Sequence, residues 1–211
     1  LDYNVSEKIK FFTSISYTHT DQDRNYLGSS SASGEQTIWG MAYIKMPNMS
    51  VFQYDELGNL TTNYFSPAAN VQGQYSRIYN PVAMADQAKY KVLGERVIPR
   101  FQVDYDIVKK VLKATFDIQF DINNTKNSSF LPQIATGRPN TETVVNRAYD
   151  GDIDIFTVTS KSNLVYTPRF KNDKHNLISY LSFMTNDYKV VFQEVMTSNT
   201  ASSLLVDPSI P

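Results

Sequence analysis

The chain has 211 residues, with 20 Lys and Arg against 21 Asp and Glu and a formal net charge of -1. That balance leaves no basic face to argue for nucleic acid or for an acidic membrane surface. Cysteine is absent, which excludes disulfides, thiol catalysis and thiolate metal sites, and no run approaches the roughly eighteen apolar residues of a spanning helix.

Residues 1–5 read as the end of a strand, followed by a tight turn at Ser6-Glu7. No leader-like run opens the sequence, so it reads as a segment of a longer polypeptide. Residues 8–20 alternate: Ile9, Phe11, Thr13, Ile15 and Tyr17 on one face, and Lys10, Phe12, Ser14, Ser16 and Thr18 on the other. The first set suits lipid and the second a wet lumen, with Phe12 as the exception. A one-residue slip would place Lys10 in hydrocarbon at about 2–4 kcal/mol, so the register is well specified.

The pattern lapses over residues 21–94. Gly28-Ser29-Ser30-Ser31-Ala32-Ser33-Gly34 is a flexible polar tract. Residues 51–54 and 59–64 flank Asp55-Glu56-Leu57-Gly58-Asn59 and predict a small hairpin. Asn80-Pro81 stops a segment, and residues 83–91 are expected as a short helix. A connection of this length is far outside the usual few residues and implies a functional loop.

Residues 96–107 and 111–122 form the clearest unit. Phe101, Val103, Tyr105 and Ile107 alternate with Gln102, Asp104 and Asp106. Leu112, Ala114, Phe116, Ile118, Phe120 and Ile122 alternate with Lys113, Thr115, Asp117, Gln119 and Asp121. Strict period two puts each set on its own face, and the short link 108–110 predicts an antiparallel hairpin. Strands of about ten residues with this pattern are what a tilted transmembrane β-strand needs.

A second long loop is expected over 123–151. Residues 152–170 resume alternation, with Phe156, Val158, Leu164 and Tyr166 opposite Thr157, Thr159, Lys161, Asn163 and Arg169. Lys171-Asn172-Asp173-Lys174 is a turn. Residues 176–194 form a sixth strand whose facing stays open: Leu177, Leu181 and Phe183 compete with Ile178, Tyr180 and Met184. Residues 197–211 begin a third polar loop. Short turns thus alternate with long loops, as in outer-membrane barrels, where short turns face the periplasm and long loops face outside.

Several stretches carry a family resemblance. They are Leu1-Asp2-Tyr3-Asn4-Val5-Ser6-Glu7-Lys8-Ile9-Lys10-Phe11, Lys45-Met46-Pro47-Asn48-Met49-Ser50, Asp55-Glu56-Leu57-Gly58-Asn59 with Tyr64-Phe65, Tyr79-Asn80-Pro81-Val82-Ala83, and Lys174-His175-Asn176-Leu177. In order and spacing the chain resembles an internal barrel segment of the SusC/RagA class of TonB-dependent outer-membrane transporters of Bacteroidetes. The resemblance implies an all-β fold: about six strands of a larger, roughly 22-stranded plugged barrel. Residues 1–211 would be part of that barrel domain, with long outer loops at about 21–94 and 123–151. It implies import of oligosaccharides or peptides across the cell outer membrane, with a SusD-like surface lipoprotein, outer-membrane lipid and, through parts of the protein outside these residues, the TonB complex as partners. No energy-coupling residue carries over, because plug and TonB-contacting segments have no counterpart here.

Candidate sites are few. Trp39, Tyr43 and Tyr64, with Tyr54, Tyr75 and Tyr79, are loop aromatics able to stack on sugar rings or peptide side chains, or to pack the loop on itself or against the lipoprotein partner. Asp117 and Asp121 share the polar face of the hairpin with Asp104 and Asp106. Paired carboxylates do acid–base chemistry when their environments differ, but Arg100, Lys110 and Lys113 nearby make a mixed-charge lumen the simpler reading. Asp150-Gly151-Asp152-Ile153-Asp154 starts like a calcium loop, yet Ile155 and Lys161 stand where glycine and glutamate are required. His19 and His175 lie at opposite strand ends. Neither a metal nor a cofactor is expected, nor an enzyme. A soluble all-β carbohydrate-binding module is the alternative; it requires Phe116, Ile118 and Phe120 in a closed core. A glycan-cleaving enzyme would need two carboxylates about 5–10 Å apart across a cleft.

Overall fold

A computed structural model describes residues 1–26, 37–45, 47–65, 79–137, 145–170, 175–202, 204–206 and 208. The polar tract at 28–34, Tyr75 and the turn at 171–174 lie outside these. In chain order the elements are β1 (Asp2–Asn4), β2 (Ile9–Arg24), α1 (Ile38–Ile44), β3 (Phe52–Tyr54), β4 (Leu60–Tyr64), α2 (Pro81–Gln87), β5 (Lys89–Val108), β6 (Leu112–Leu131), α3 (Gln133–Thr136), β7 (Arg147–Tyr166) and β8 (Ser179–Thr197). Six strands join in one mostly antiparallel sheet in the order β1-β2-β5-β6-β7-β8, and β3 pairs with β4. The large sheet is open: β1 and β8 are its edges, and no closed barrel forms among these strands.

The turns follow from local chemistry. After β1, the Val5 and Ser6 amides donate to Ile9 O at 3.0 and 3.2 Å. The Ser6 hydroxyl accepts from the Lys8 and Ile9 amides. Between β5 and β6, Val111 N donates to Val108 O at 3.0 Å, with Lys110 at φ 62°, a left-handed conformation that costs a non-glycine residue roughly 1 kcal/mol.

The chain divides into two units. The first comprises Leu1–Thr20, Gly94–Thr125 and Ile153–Phe192. Its strands show two unlike faces. On one, Phe11 stacks on Phe101 and Phe120 tilts against Phe156, each at 6.4 Å between centroids. On the other, Arg100 Nε donates to Asp117 at 2.7 Å, Arg96 forks onto both oxygens of Asp121 at 2.8 and 2.5 Å, and Lys113 reaches Asp104 at 2.8 Å. No described residue of this unit is buried. Ile15 is 75% exposed, Phe116 is 46% exposed, and Ile118 and Phe120 are half-buried. The closed core that a soluble module would need around Phe116, Ile118 and Phe120 is therefore not what surrounds them.

The facing of β8 is resolved by its neighbours. Tyr180 Oη and Ser182 Oγ donate to Asn163 Oδ1 at 2.6 and 2.8 Å, and Thr159 Oγ1 donates to Asn186 at 3.0 Å. Leu181 and Phe183 lie on the opposite face, where with Val103, Phe116 and Leu164 they line an apolar groove of about 350 Å³.

The second unit comprises Asp21–Leu93, Lys126–Asp152 and Gln193–Pro211, and it holds every buried residue among those described. Its core is Tyr26, Met41, Met84, Leu131 and Ala135, with Ile38, Ile44, Tyr79 and Ala88 packed against it. Thr37 caps α1 through Gly40 N at 3.0 Å. Asn80 caps α2 through Val82 N at 3.0 Å, ahead of Pro81 at the first turn, where its fixed φ suits a helix start. The Asn146 side chain accepts from Gln133 N at 2.9 Å at the start of α3. Gly137 ends that helix at φ 61°, a backbone setting that glycine adopts without strain.

Several boundaries differ from expectation. The helix expected over 83–91 is Pro81–Gln87, and Lys89 already begins β5; Asn80-Pro81 starts an element instead of stopping one. β2 continues to Arg24, β6 continues to Leu131 and β7 begins at Arg147, so the loops expected at 21–94 and 123–151 are shorter and include strand ends. The small hairpin at 52–64 forms as expected. The physical reason is that ladder pairing does not require one apolar face. Polar cross-strand pairs hold these extensions: Lys91 with Asp21 at 3.1 Å, Lys126 with Asp150 at 2.9 Å, and Asn124 with Asp154 at 2.5 Å.

Candidate binding surfaces

The five expected contact residues fall into two separate units. Asp117 and Asp121, on β6 in the first unit, are placed by strand periodicity on the charged face, two residues of one orientation apart. Each carboxylate is engaged by an arginine of β5: Asp117 by Arg100 and Asp121 by Arg96. Their side chains are only 14% and 23% exposed, against 43% and 50% for the arginines. Each carboxylate thus accepts its hydrogen bonds from its own arginine. The Gln102 amide extends the row, donating to Asp104 at 3.0 Å.

Trp39, Tyr43 and Tyr64 lie in the second unit. Trp39 and Tyr43 are four residues apart on α1, hence on one helix face, and are 68% and 83% exposed. Tyr64, on β4, stacks on Phe52 at 5.3 Å and donates its hydroxyl to Asp86 at 2.6 Å. That bond to a carboxylate raises the Tyr64 pKa above its ordinary value. Tyr64 also lines an open cavity of about 750 Å³ with Gln53, Asn63, Gln87, Gln133 and Asn146. The lining is rich in amides, but Asn146 is occupied: it caps α3 and donates to Thr200 O at 2.9 Å.

A second cavity in this unit, of about 330 Å³, is lined by Tyr26, Tyr90, Arg147, Tyr149, Glu194 and their neighbours. Tyr149 Oη donates to Glu194 Oε2 over a long 3.4 Å. Burial raises the Tyr26 pKa, partly offset by Arg147. Pattern reading missed this group because its members are scattered across the sequence. One signal was present: Gly151 interrupts a strand, and a strand glycine often marks a close approach. A β-carbon there would collide with Tyr149 Oη and stand 2.9 Å from its Cζ.

The acidic run 150–154 does not assemble a site. Asp150 faces Lys126, and Asp154 accepts from Asn124. His19 Nδ1 lies 3.8 Å from Glu95 Oε1, and His175 is exposed. Among the described residues no group of three or more His, Asp or Glu is placed to hold a metal ion.

No protein-family model and no curated protein matches the sequence. Among solved structures, the chain is similar to a chain of the RagAB peptide importer in its "closed-closed" state, with a TM-score of 0.59 and 15% identity. That match covers 97% of this chain and 21% of the other. It is similar in the same way to a chain of the RagAB peptide transporter, with a TM-score of 0.59, 16% identity, and coverage of 97% and 22%. The chain thus spans about a fifth of the length of those chains. At this identity the shared property is the fold alone.

Proposed function

We propose that these strands are a section of the wall of an outer-membrane β-barrel importer of the SusC/RagA kind, carrying oligosaccharides or peptides. The observation that carries this reading is the sheet of the first unit: one face aromatic and aliphatic, the other charged, and no described residue buried on either. A soluble fold buries an apolar sheet face against a second layer; a barrel wall leaves it to lipid and turns the charged face to water. The paired Arg and Asp side chains then shape a polar conduit, and no bond is made or broken. The fold likeness to chains of a peptide importer agrees with a transport role. Trp39 and Tyr43, exposed on one face of α1, serve as contacts for the carried ligand or for a SusD-like lipoprotein over the outer loops. Energy coupling through TonB uses parts of the protein outside these residues.

These 211 residues hold no cysteine, so within them only an introduced thiol can react, and any cysteine elsewhere in the parent is first replaced by serine. In the full-length parent, embedded in outer membranes, single cysteines replace Ile15, Phe116 or Leu164 on one face and Thr115, Gln119 or Thr157 on the other. A water-soluble maleimide is expected to label the second set and spare the first. Ready labelling of Phe116→Cys from water, or recovery of the parent as a detergent-free soluble protein, would overturn the assignment.

A further inference from the structure

We propose that the apolar groove across β5 to β8 seats one acyl chain of an anionic phospholipid, whose phosphate is held by Lys110 and Arg169 at the turn end of the sheet. The proposal rests on the reading of these strands as a barrel wall and specifies which lipid that wall retains. The groove, of about 350 Å³, has almost wholly apolar walls. Its floor is made by two small side chains, Ala114 on β6 and Ser162 on β7. Tyr105, Phe116, Leu164 and Phe183 stand around them, all of them large. Small residues among large ones leave a dent whose lining lacks partner atoms. A flexible run of methylenes can follow such a dent and supply them.

The two cations lie at one end of the groove. Thr167 N donates to Val111 O at 2.7 Å, which sets the turn ends of β6 and β7 side by side. Lys110 directly precedes Val111, and Arg169 follows shortly after Thr167, so both stand on the turn side of that bond. Both are exposed, and neither forms an ion pair among the described residues. Glu7, at the turn after β1, is already paired with Lys109. Two cations on one rim favour a headgroup of net negative charge, and the guanidinium fork matches the oxygens of a phosphate.

The spacing fits one leaflet. Ala114 is three residues from Val111, and Leu164 is three from Thr167. At about 3.3 Å per residue the floor of the groove begins about 10 Å along the strands from the rim. Half of a hydrocarbon core is about 15 Å, so a chain anchored at the rim crosses the floor before it reaches the midplane. Tyr105 and Tyr166 share the apolar face near the rim, where tyrosines sit at headgroup level. A second copy of this chain is the poorer occupant, because an apolar wall laid on the groove brings no anion to Lys110 and Arg169.

The test reconstitutes the full-length parent in phosphatidylcholine vesicles holding a trace of phosphatidylglycerol with a photoactivatable diazirine on its acyl chain. Adducts are mapped by peptide mass spectrometry after illumination. They are expected to concentrate on residues 103–116 and 181–183, and to be displaced by added phosphatidylglycerol but not by the same amount of added phosphatidylcholine. In the double variant Lys110→Asn, Arg169→Gln the yield there should fall about tenfold. Asparagine suits the left-handed backbone at 110, so the turn is kept. Ala114→Phe fills the floor and should lower the yield with both cations in place. Adducts spread evenly over the apolar face, equal displacement by the two lipids, an unchanged yield in the double variant, or cross-links between two copies in place of lipid adducts would each overturn the site. Heat-modifiable electrophoretic mobility reads barrel formation independently. A parent that forms a barrel but is labelled evenly sinks the lipid site alone, and one that forms no barrel sinks the transport reading.

Discussion

Asp55 organises the turn between β3 and β4 through its carboxylate. It accepts from the Asn59 amide at 2.7 Å, the Asn59 side chain at 3.1 Å and the Leu57 amide at 3.0 Å, while Gly58 sits at φ 82°. These bonds, the Asn59 amide first, hold the Asp55 pKa below its ordinary value of 3.8. A carboxyl lowered on folding favours the folded turn most fully above its unfolded pKa, and that contribution is lost as pH falls through the folded value. Amide exchange in residues 52–64, corrected for intrinsic rates, should therefore show constant protection at neutral pH and a decline in acid below about pH 4. In Asp55→Asn the acid-dependent step should vanish. A second residue-level prediction concerns Asn80, which is 3% exposed. It caps α2 and also donates to Val51 O at 2.7 Å and Phe65 O at 3.0 Å. Asn80→Ala removes the cap and both donors, so the opening free energy of α2, read by hydrogen exchange, should fall by about 2–3 kcal/mol. Asn80→Asp keeps the cap acceptor but sets a carboxylate oxygen against the Val51 and Phe65 carbonyls in a buried site, so it should not recover the loss.

The hairpin of β5 and β6 shows what alternation does for an element. Ile118 and Gln119 are sequence neighbours that look in opposite directions, so the same substitution at each should have unlike effects. Ile118→Lys places a charge on the apolar face and should destabilise the membrane-inserted parent by about 2–4 kcal/mol. Gln119→Lys adds a cation to a face that already holds Arg100 and Asp117 and should stay within about 0.5 kcal/mol. Equilibrium unfolding from lipid vesicles in guanidinium measures both. Equal losses would mean that the two faces meet the same medium.

At the scale of the molecule, the described strands form an open sheet with edges at β1 and β8, and no described residue of the first unit is buried. Such edges template further pairing, and exposed apolar area of this extent drives association in water. The isolated 211-residue chain should therefore scatter light as large assemblies in buffer, and detergent should disperse them without loss of far-ultraviolet β signal. A monodisperse, detergent-free monomer would contradict the wall reading.

Much of this architecture was legible in the residues alone. Period-two patterning is local: each side chain's face follows from its neighbours in the chain, so the two side-chain sets of β2, β5, β6 and β7 could be assigned without coordinates. The small hairpin was equally clear, because Asp55 and Gly58 are turn chemistry at short range. Strand ends were not, since Asn123 to Ser129 pair through the backbone with polar side chains on both faces. The orientation of β8 needed its neighbour, because both of its faces are apolar and only the bonds to Asn163 separate Tyr180 from Leu181. The tyrosine cavity needed the whole fold: Tyr26, Tyr90, Tyr149 and Glu194 meet only after distant strands have paired, and nothing local marks contacts between residues so far apart in the chain.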